Sequence, residues 1–81
     1  MVDVLVSGQG EATQDDIRQA FGPPVKTSPD DKGGSIWVYQ RLLYTRNPPF
    51  GVSSCVEYTL RFDASRILQE WAIKEWPPHA C

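Results

Sequence analysis

The chain has 81 residues, of which ten are acidic and eight basic, so its formal net charge at pH 7 is -2. The basic residues are spread along the chain, which excludes the electrostatic footprint of a nucleic-acid-binding protein, and no apolar run reaches membrane-spanning length. The hydrophobic fraction of 41% is typical of a folded domain. We expect residues 1–81 to form a single domain with a thin core, since a domain this small buries only about 60% of its unfolded surface.

Residues 1–12 are predicted to lead into the first helix. Val2, Val4 and Val6 alternate with other residues, and this period of two indicates a short edge strand or an ordered lead-in. The segment lacks the basic start and apolar centre of a signal peptide. We therefore expect either a cytoplasmic chain that starts at Met1 or a chain from which an export segment has been removed.

A short helix is predicted over residues 13–22. Its first residue, Thr13, suits the N-cap, and Asp16 can complete a capping box. Ile17 and Phe21 lie on one face and form an apolar stripe, and the Gly-Pro-Pro that follows ends the helix. Because so short a helix is unstable alone in water, it must pack on another element.

Strand periodicity dominates the rest of the chain. The polar, turn-rich residues 25–35 are predicted to connect the helix to the first strand, and the turn at residues 63–65 is short enough for a tight hairpin. The fold class predicted is α+β, with the short N-terminal helix packed on a three-stranded antiparallel meander and a possible extra N-terminal strand. The three strands are placed at residues 36–44, 55–62 and 67–76, followed by a tail at 77–81.

One face of this sheet is predicted to hold the core. In the last strand we place Ile67, Trp71 and Ile73 on the core face and Leu68 on the opposite face. The predicted core and platform residues are Ile17, Phe21, Trp37, Tyr39, Tyr58, Leu60, Phe62, Trp71 and Ile73.

The aromatic residues permit a second interpretation. Trp37, Tyr39, Tyr58 and Trp71 could line a cleft between helix and sheet that binds an apolar or aromatic small molecule. The small size of the domain favours a place in the core, because these side chains are needed to fill it.

No catalytic set is recognisable in the sequence. A nucleophile and its base would need His beside Cys or Ser, and the only histidine, His79, lies in the C-terminal tail. Cys55, His79 and Cys81 could form part of a metal or thiol site, but zinc usually has four ligands. We predict no enzymatic activity, no metal site and no cofactor.

The two cysteines are predicted to be free thiols. If the last two strands pair about their turn, Cys55 lies opposite Lys74 or Glu75, and Cys81 follows about six residues later. A disulfide needs Cα atoms about 6 Å apart. The tail would have to fold back to close that gap.

The connection at residues 45–54 is the predicted contact surface. Phe50 follows Pro49 at its tip and has no obvious core to join, so we expect it to contact a partner, unless it folds under its own loop. Arg46 and Pro49 are assigned to the same surface. Trp76, at the end of the last strand, is predicted to be an edge anchor for a partner.

Three motifs, in order, resemble those of the SmpA/OmlA (BamE-like) family of small outer-membrane lipoproteins. "ATQDDIRQAFGPP" is similar to the family's acidic helix and Gly-x-Pro signature, "IWVYQR" to its Trp-x-Tyr strand, and "YTLRFDASRIL" to its Phe-Asp hairpin. The resemblance spans residues 8–73 and implies a fold related to the β-lactamase-inhibitor-protein repeat. The chain differs from the family in lacking a lipobox cysteine near its start, and strand-like "VDVLV" stands where the family has the first helix of a pair.

The resemblance also implies a function. Family members are non-enzymatic accessory subunits that bind partner proteins and phospholipid in the complex that inserts β-barrels into the outer membrane. We therefore expect a protein-interaction module, on the periplasmic side of the outer membrane if an export segment has been removed. The alternative is a small-molecule-binding domain with a Trp- and Tyr-lined pocket. The sequence predicts neither the specific partner nor the oligomeric state.

Overall fold

Two short helices precede a four-stranded antiparallel sheet in the computed structural model, which describes residues 2–45 and 51–81. The strands lie side by side in chain order. In the described part of the chain, no helix has both the length and the apolar character needed to cross a membrane. The elements are α1 (Val2–Gly8), α2 (Gln14–Phe21), β1 (Lys26–Pro29), β2 (Ser35–Thr45), β3 (Gly51–Phe62), β4 (Leu68–Trp76) and a 3-10 turn (Pro78–Ala80).

The N-terminal segment contains a helix, so the prediction of a possible N-terminal strand was wrong. Leu5 of α1 is fully buried, whereas Val2, Val4 and Val6 are all exposed. The valines therefore share no buried strand face, and their alternation in the sequence does not indicate a strand. Packing of one leucine into the core outweighs the weak strand preference of valine.

Helix α2 begins and ends as predicted. The Thr13 hydroxyl accepts a hydrogen bond from the Asp16 N–H at 3.1 Å, and the Asp16 carboxylate accepts one from the Thr13 N–H at 3.0 Å. Gly22 ends the helix with φ 81°, and its N–H donates to the Arg18 carbonyl. The buried residue of this helix, Ile17, is fully enclosed.

The connection between the helices is bonded to the outer edge of β4. The Leu68 N–H donates to the Ala12 carbonyl at 2.8 Å, and the Leu68 carbonyl accepts from the Gly10 N–H at 2.7 Å. The Gln14 N–H donates to the Arg66 carbonyl at 3.0 Å. These bonds fix the helix pair against the sheet. They also pair the backbone N–H and carbonyl groups at the start of β4 that would otherwise be unpaired on the sheet edge.

The predicted polar connection contains a fourth strand, so the three-strand meander was wrong. β1 pairs with β2 from Lys26 opposite Val38 to Pro29 opposite Ser35. Three of its four residues are exposed. A short edge strand that buries little has no apolar alternation to reveal it.

The turn between β1 and β2 lies against the end of β3 at Gly34. A Cβ atom at this position would stand 1.9 Å from the Phe62 carbonyl oxygen. Only glycine permits this close approach between the turn and the neighbouring backbone.

Gly34→Ala is therefore expected to lower the free energy of unfolding by about 1–3 kcal/mol, the usual cost of overpacking. Urea unfolding followed by circular dichroism measures the loss. The control is Asp31→Ala in the same turn, an exposed site whose change should cost no more than about 0.5 kcal/mol. Equal midpoints for the two variants would contradict the close approach.

The turn between β3 and β4 is organised by the Asp63 carboxylate. It accepts hydrogen bonds from the N–H groups of Ser65 and Ile67 at 2.8 and 3.0 Å, and from the Gln69 amide at 2.8 Å. The bond from the Ile67 N–H is the main cause that lowers the pKa of Asp63 below its ordinary value of 3.8.

This lowered pKa predicts a loss of stability in acid. The carboxylate contributes its full stabilisation above the ordinary pKa, and the contribution disappears as pH falls through the lowered folded-state pKa. Urea midpoints of the wild type and Asp63→Asn should differ at pH 6 and converge as the pH falls below the ordinary pKa of 3.8 and through the lowered folded-state pKa. A difference that does not change with pH would contradict this assignment.

A β-bulge decides which residues of β4 face the core. Arg61 pairs with Glu70, but the next residue, Phe62, pairs with Leu68, so Gln69 is the extra residue. The bulge turns Leu68 to the side of Phe62, where it is fully buried. The prediction that Leu68 faces away from the core was wrong because strict alternation cannot show a bulge.

The helices cover one face of the sheet, here called the helix face; the opposite side is the open face. Ile73, expected in the core, is 44% exposed. It lies on the edge strand in the same row as Tyr39 and Tyr58, and the end of α2 packs over Tyr39 at the other side of that row. The core consists of Leu5, Ala12, Ile17, Trp37, Tyr39, Leu60, Phe62 and Leu68, with Phe21, Tyr58 and Trp71 partly buried against it.

The cysteines form a disulfide, so the expectation of free thiols was wrong. Cys55 and Cys81 are bonded, with their Cα atoms 5.6 Å apart. The bulge shifts Cys55 opposite Trp76 rather than Lys74 or Glu75. Beyond Trp76 the chain turns back in the 3-10 turn and brings its last residue to β3.

Candidate functional site

The predicted contact residues fall in two different places. Arg46, Pro49 and Phe50 lie outside the described residues. Trp76 ends β4 and is 36% exposed. The Lys74 ammonium lies 4.1 Å from the centre of its ring, an arrangement that holds the indole by cation–π attraction.

The aromatic residues of the proposed ligand cleft lie in the core or against it. Tyr39 is fully buried and Trp37 is 8% exposed, with its ring 4.9 Å from that of Phe62. Tyr58 and Trp71 are partly buried against the same cluster. The rings fill the space between helices and sheet that a ligand would have to occupy.

The Tyr39 hydroxyl is part of the same packing. It donates a hydrogen bond to the Gly22 carbonyl at 2.8 Å, and burial raises the pKa of the phenol. The Arg41 guanidinium donates to the neighbouring Phe21 carbonyl at 3.0 Å. Both side chains therefore bind the end of α2 to the sheet.

A cluster of charges on the open face is centred on Arg61, and the buried Asp30 Oδ2 in it has no hydrogen-bond partner among the described residues. Arg61 binds Glu70 through two contacts, at 2.9 and 3.2 Å, and lies 3.7 Å from Asp30. The hydrogen bond from Arg61 lowers the pKa of Glu70 and raises that of Arg61 itself. These shifts move both groups away from the neutral range in which general acid–base catalysis works best.

This cluster borders a shallow depression of about 220 Å³. Its walls combine the Arg61–Glu70 pair with the side of β4 near Ala72. The two charged side chains that line the depression, Arg61 and Glu70, are paired with each other.

The C-terminal cysteine and histidine do not form a metal site. Both cysteine sulfurs are used in the disulfide, and His79 is exposed in the 3-10 turn. Among the described residues, no three His, Cys, Asp or Glu side chains are grouped so that they could hold a metal ion.

Exposed apolar side chains collect where the helices leave the sheet uncovered. We call this surface the apolar end. The register places Leu42, Cys55 and Trp76 in one row across the open face and Leu43 beside Ser54 on the helix face. The members of the apolar end are Leu42, Leu43, Tyr44, Ile73 and Trp76, which are 39%, 47%, 68%, 44% and 36% exposed.

Ser54 adds a polar feature to this surface. Its side chain is 4% exposed, and its hydroxyl has no hydrogen-bond partner among the described residues. A buried hydroxyl without a partner is uncommon in proteins.

The sequence analysis missed most of the apolar end. Of its members, only Trp76 was predicted to contact a partner, and Ile73 was placed in the core. The signal was present in "RLLY" at residues 41–44, where consecutive apolar residues must point to both faces of a strand. Only a covering element on each side would bury both.

Comparisons with known proteins leave the family open. No family model, no curated protein and no solved structure matches the chain.

Proposed function

We propose that this chain is a non-enzymatic protein-interaction module that binds a partner protein through the apolar end. The observation that carries the proposal is the exposure of large apolar side chains on both faces of the sheet: Leu42, Leu43, Tyr44 and Trp76 stand at one end, and Ile73 stands farther along β4, opposite Tyr58. Apolar residues gathered in this way mark interaction surfaces in soluble domains. Because apolar side chains are exposed on both faces of the sheet, we expect a partner that contacts both faces.

Rigid support also favours binding. β2 and β3 pair from Ser35 opposite Phe62 to Thr45 opposite Gly51, with one irregularity in the register between Leu43 and Tyr44. β4 flanks them, and the disulfide fixes the tail to β3. Because these side chains stand on paired strands, binding requires little ordering of the backbone, which lowers the entropic cost of association.

The resemblance to the SmpA/OmlA family indicates where to look for the partner. It favours an envelope complex that assembles outer-membrane proteins. The disulfide supports a compartment outside the reducing cytosol, where such bonds persist. The expected role is that of an accessory subunit that stabilises a larger assembly.

The test is capture of partner proteins from an envelope extract of the source cells by immobilised wild type and Leu43→Ser. Leu43 is 47% exposed at the apolar end, so its change should abolish capture at little cost in stability. Mass spectrometry quantifies each captured protein, and cross-linking shows whether it contacts β2.

Val25→Ser is the matched control. Val25 is 62% exposed and precedes β1, away from the apolar end. It should retain the same partners as the wild type. If Leu43→Ser also retains every protein that the wild type captures, the apolar end is not the binding surface.

A further inference from the structure

The C-terminal tail, residues 77–81, is held to the sheet by one covalent bond. All five residues are exposed, and the backbone hydrogen bond of the 3-10 turn, from the Ala80 N–H to the Pro77 carbonyl, is internal to the tail. Among the described residues, no hydrogen bond joins the tail to β3. The Cys55–Cys81 disulfide is therefore the main restraint on its position.

The tail lies against a row of side chains that belongs to the apolar end. Cys55 is fully buried although it stands on the open face. Its neighbours in the row, Leu42 and Trp76, are 39% and 36% exposed. The disulfide places Cys81 against Cys55 on this face, so the tail contributes to enclosing Cys55.

We propose that the disulfide is a redox-sensitive latch that regulates the apolar end. When it is reduced, the tail leaves the sheet and uncovers the row of Leu42, Cys55 and Trp76, which enlarges the apolar surface on the open face. When it is oxidised, the tail closes over the middle of that row. This inference rests on the proposed function, because it concerns the regulation of the same binding surface.

The chemistry is thiol–disulfide exchange with a dithiol reductant. A thiolate of the reductant attacks the sulfur of Cys81, since this residue is exposed and Cys55 is buried. Cys55 leaves as a thiolate and takes up a proton. The second thiol of the reductant then breaks the mixed disulfide and releases the Cys81 thiol. The reductant loses two electrons and becomes a disulfide, and an oxidised dithiol reverses the reaction.

Accessibility of Cys55 tests the latch. In Cys81→Ser the tail is released whatever the redox conditions, and Cys55 is the only remaining thiol. Its labelling by N-ethylmaleimide is compared with the rate of global opening, which is measured from the slowest-exchanging amides of the same variant. We expect labelling to be faster than global opening by about tenfold or more, because only the tail has to move.

Two results would overturn the proposal. Labelling that is no faster than global opening would show that the tail stays in place without the bond. Loss of the far-ultraviolet circular dichroism of the wild type on reduction would show that no folded reduced state exists. Wild type reduced with a dithiol and then labelled should show both thiols modified with the dichroism retained.

This experiment is separate from the test of the proposed function. Labelling of Cys55 needs no partner, so a failed latch leaves the Leu43→Ser result unchanged. Conversely, a mobile tail over a surface that captures no partner would leave the latch mechanism in place and remove its role in binding.

Discussion

Replacing Trp37 by alanine is expected to lower the free energy of unfolding by about 3–5 kcal/mol, the usual cost of deleting a large buried aromatic side chain. Trp37 is 8% exposed, and its ring packs against Phe62 and Tyr39. In a domain whose total stability is of the order of 5–15 kcal/mol, such a loss removes a large share of that stability. Urea unfolding followed by circular dichroism measures it.

Trp76→Ala is the matched control, since it removes the same side chain at a site that is 36% exposed. It should cost much less, because much of its ring already contacts solvent. If the two variants unfold at the same urea concentration, the helix face does not hold the core. The pair also separates stability from binding, as only Trp76 belongs to the apolar end.

Cys81→Ser is expected to lower the free energy of unfolding by about 3 kcal/mol. The disulfide closes a loop between residues 26 positions apart, and a loop of this size restricts the unfolded chain by roughly that amount. Cys81 is exposed, so its own side chain contributes little packing, and the change acts through loss of the bond and release of the tail. Urea midpoints with and without reductant measure it.

The wild type under reducing conditions provides the control for this prediction. It should unfold at the midpoint of Cys81→Ser, whereas the variant should not respond to the reductant. A wild type whose midpoint is the same in both conditions would show that the bond contributes no stability. A loss of about 3 kcal/mol also leaves room for the folded, reduced state on which the latch depends, provided that the total exceeds it.

The two structural predictions in the turns test smaller and more local effects. Gly34→Ala tests the close contact between the β1–β2 turn and the backbone of β3. Asp63→Asn tests a hydrogen-bonded carboxylate whose contribution to stability depends on pH. Both sites lie at the end of the sheet that carries the helices. Neither change should alter capture of a partner at the apolar end.

The sequence by itself determined the elements whose signals are local. Helix α2 has its capping box, its apolar stripe and its terminating Gly22 within ten consecutive residues, and each acts through neighbours in the chain. The hairpin of β3 and β4 was visible because its alternation is long and its turn is short. Trp37 and Tyr39 could be placed in the core because a small domain must bury its large aromatic side chains.

Only the tertiary structure decided the features that depend on distant partners. Leu5 stabilises α1 as a helix by packing into a core formed by later residues. β1 forms because its backbone pairs with the edge of β2. The bulge at Gln69 resets the register of β4, and the returning tail then brings Cys81 to Cys55. The exposure of Leu43 and Ile73 depends on how far the two short helices reach over the helix face, whereas Leu42 and Trp76 are exposed because they lie on the open face. Composition and periodicity are local properties, whereas cover, register and chain reversal are set by the packing of the whole domain.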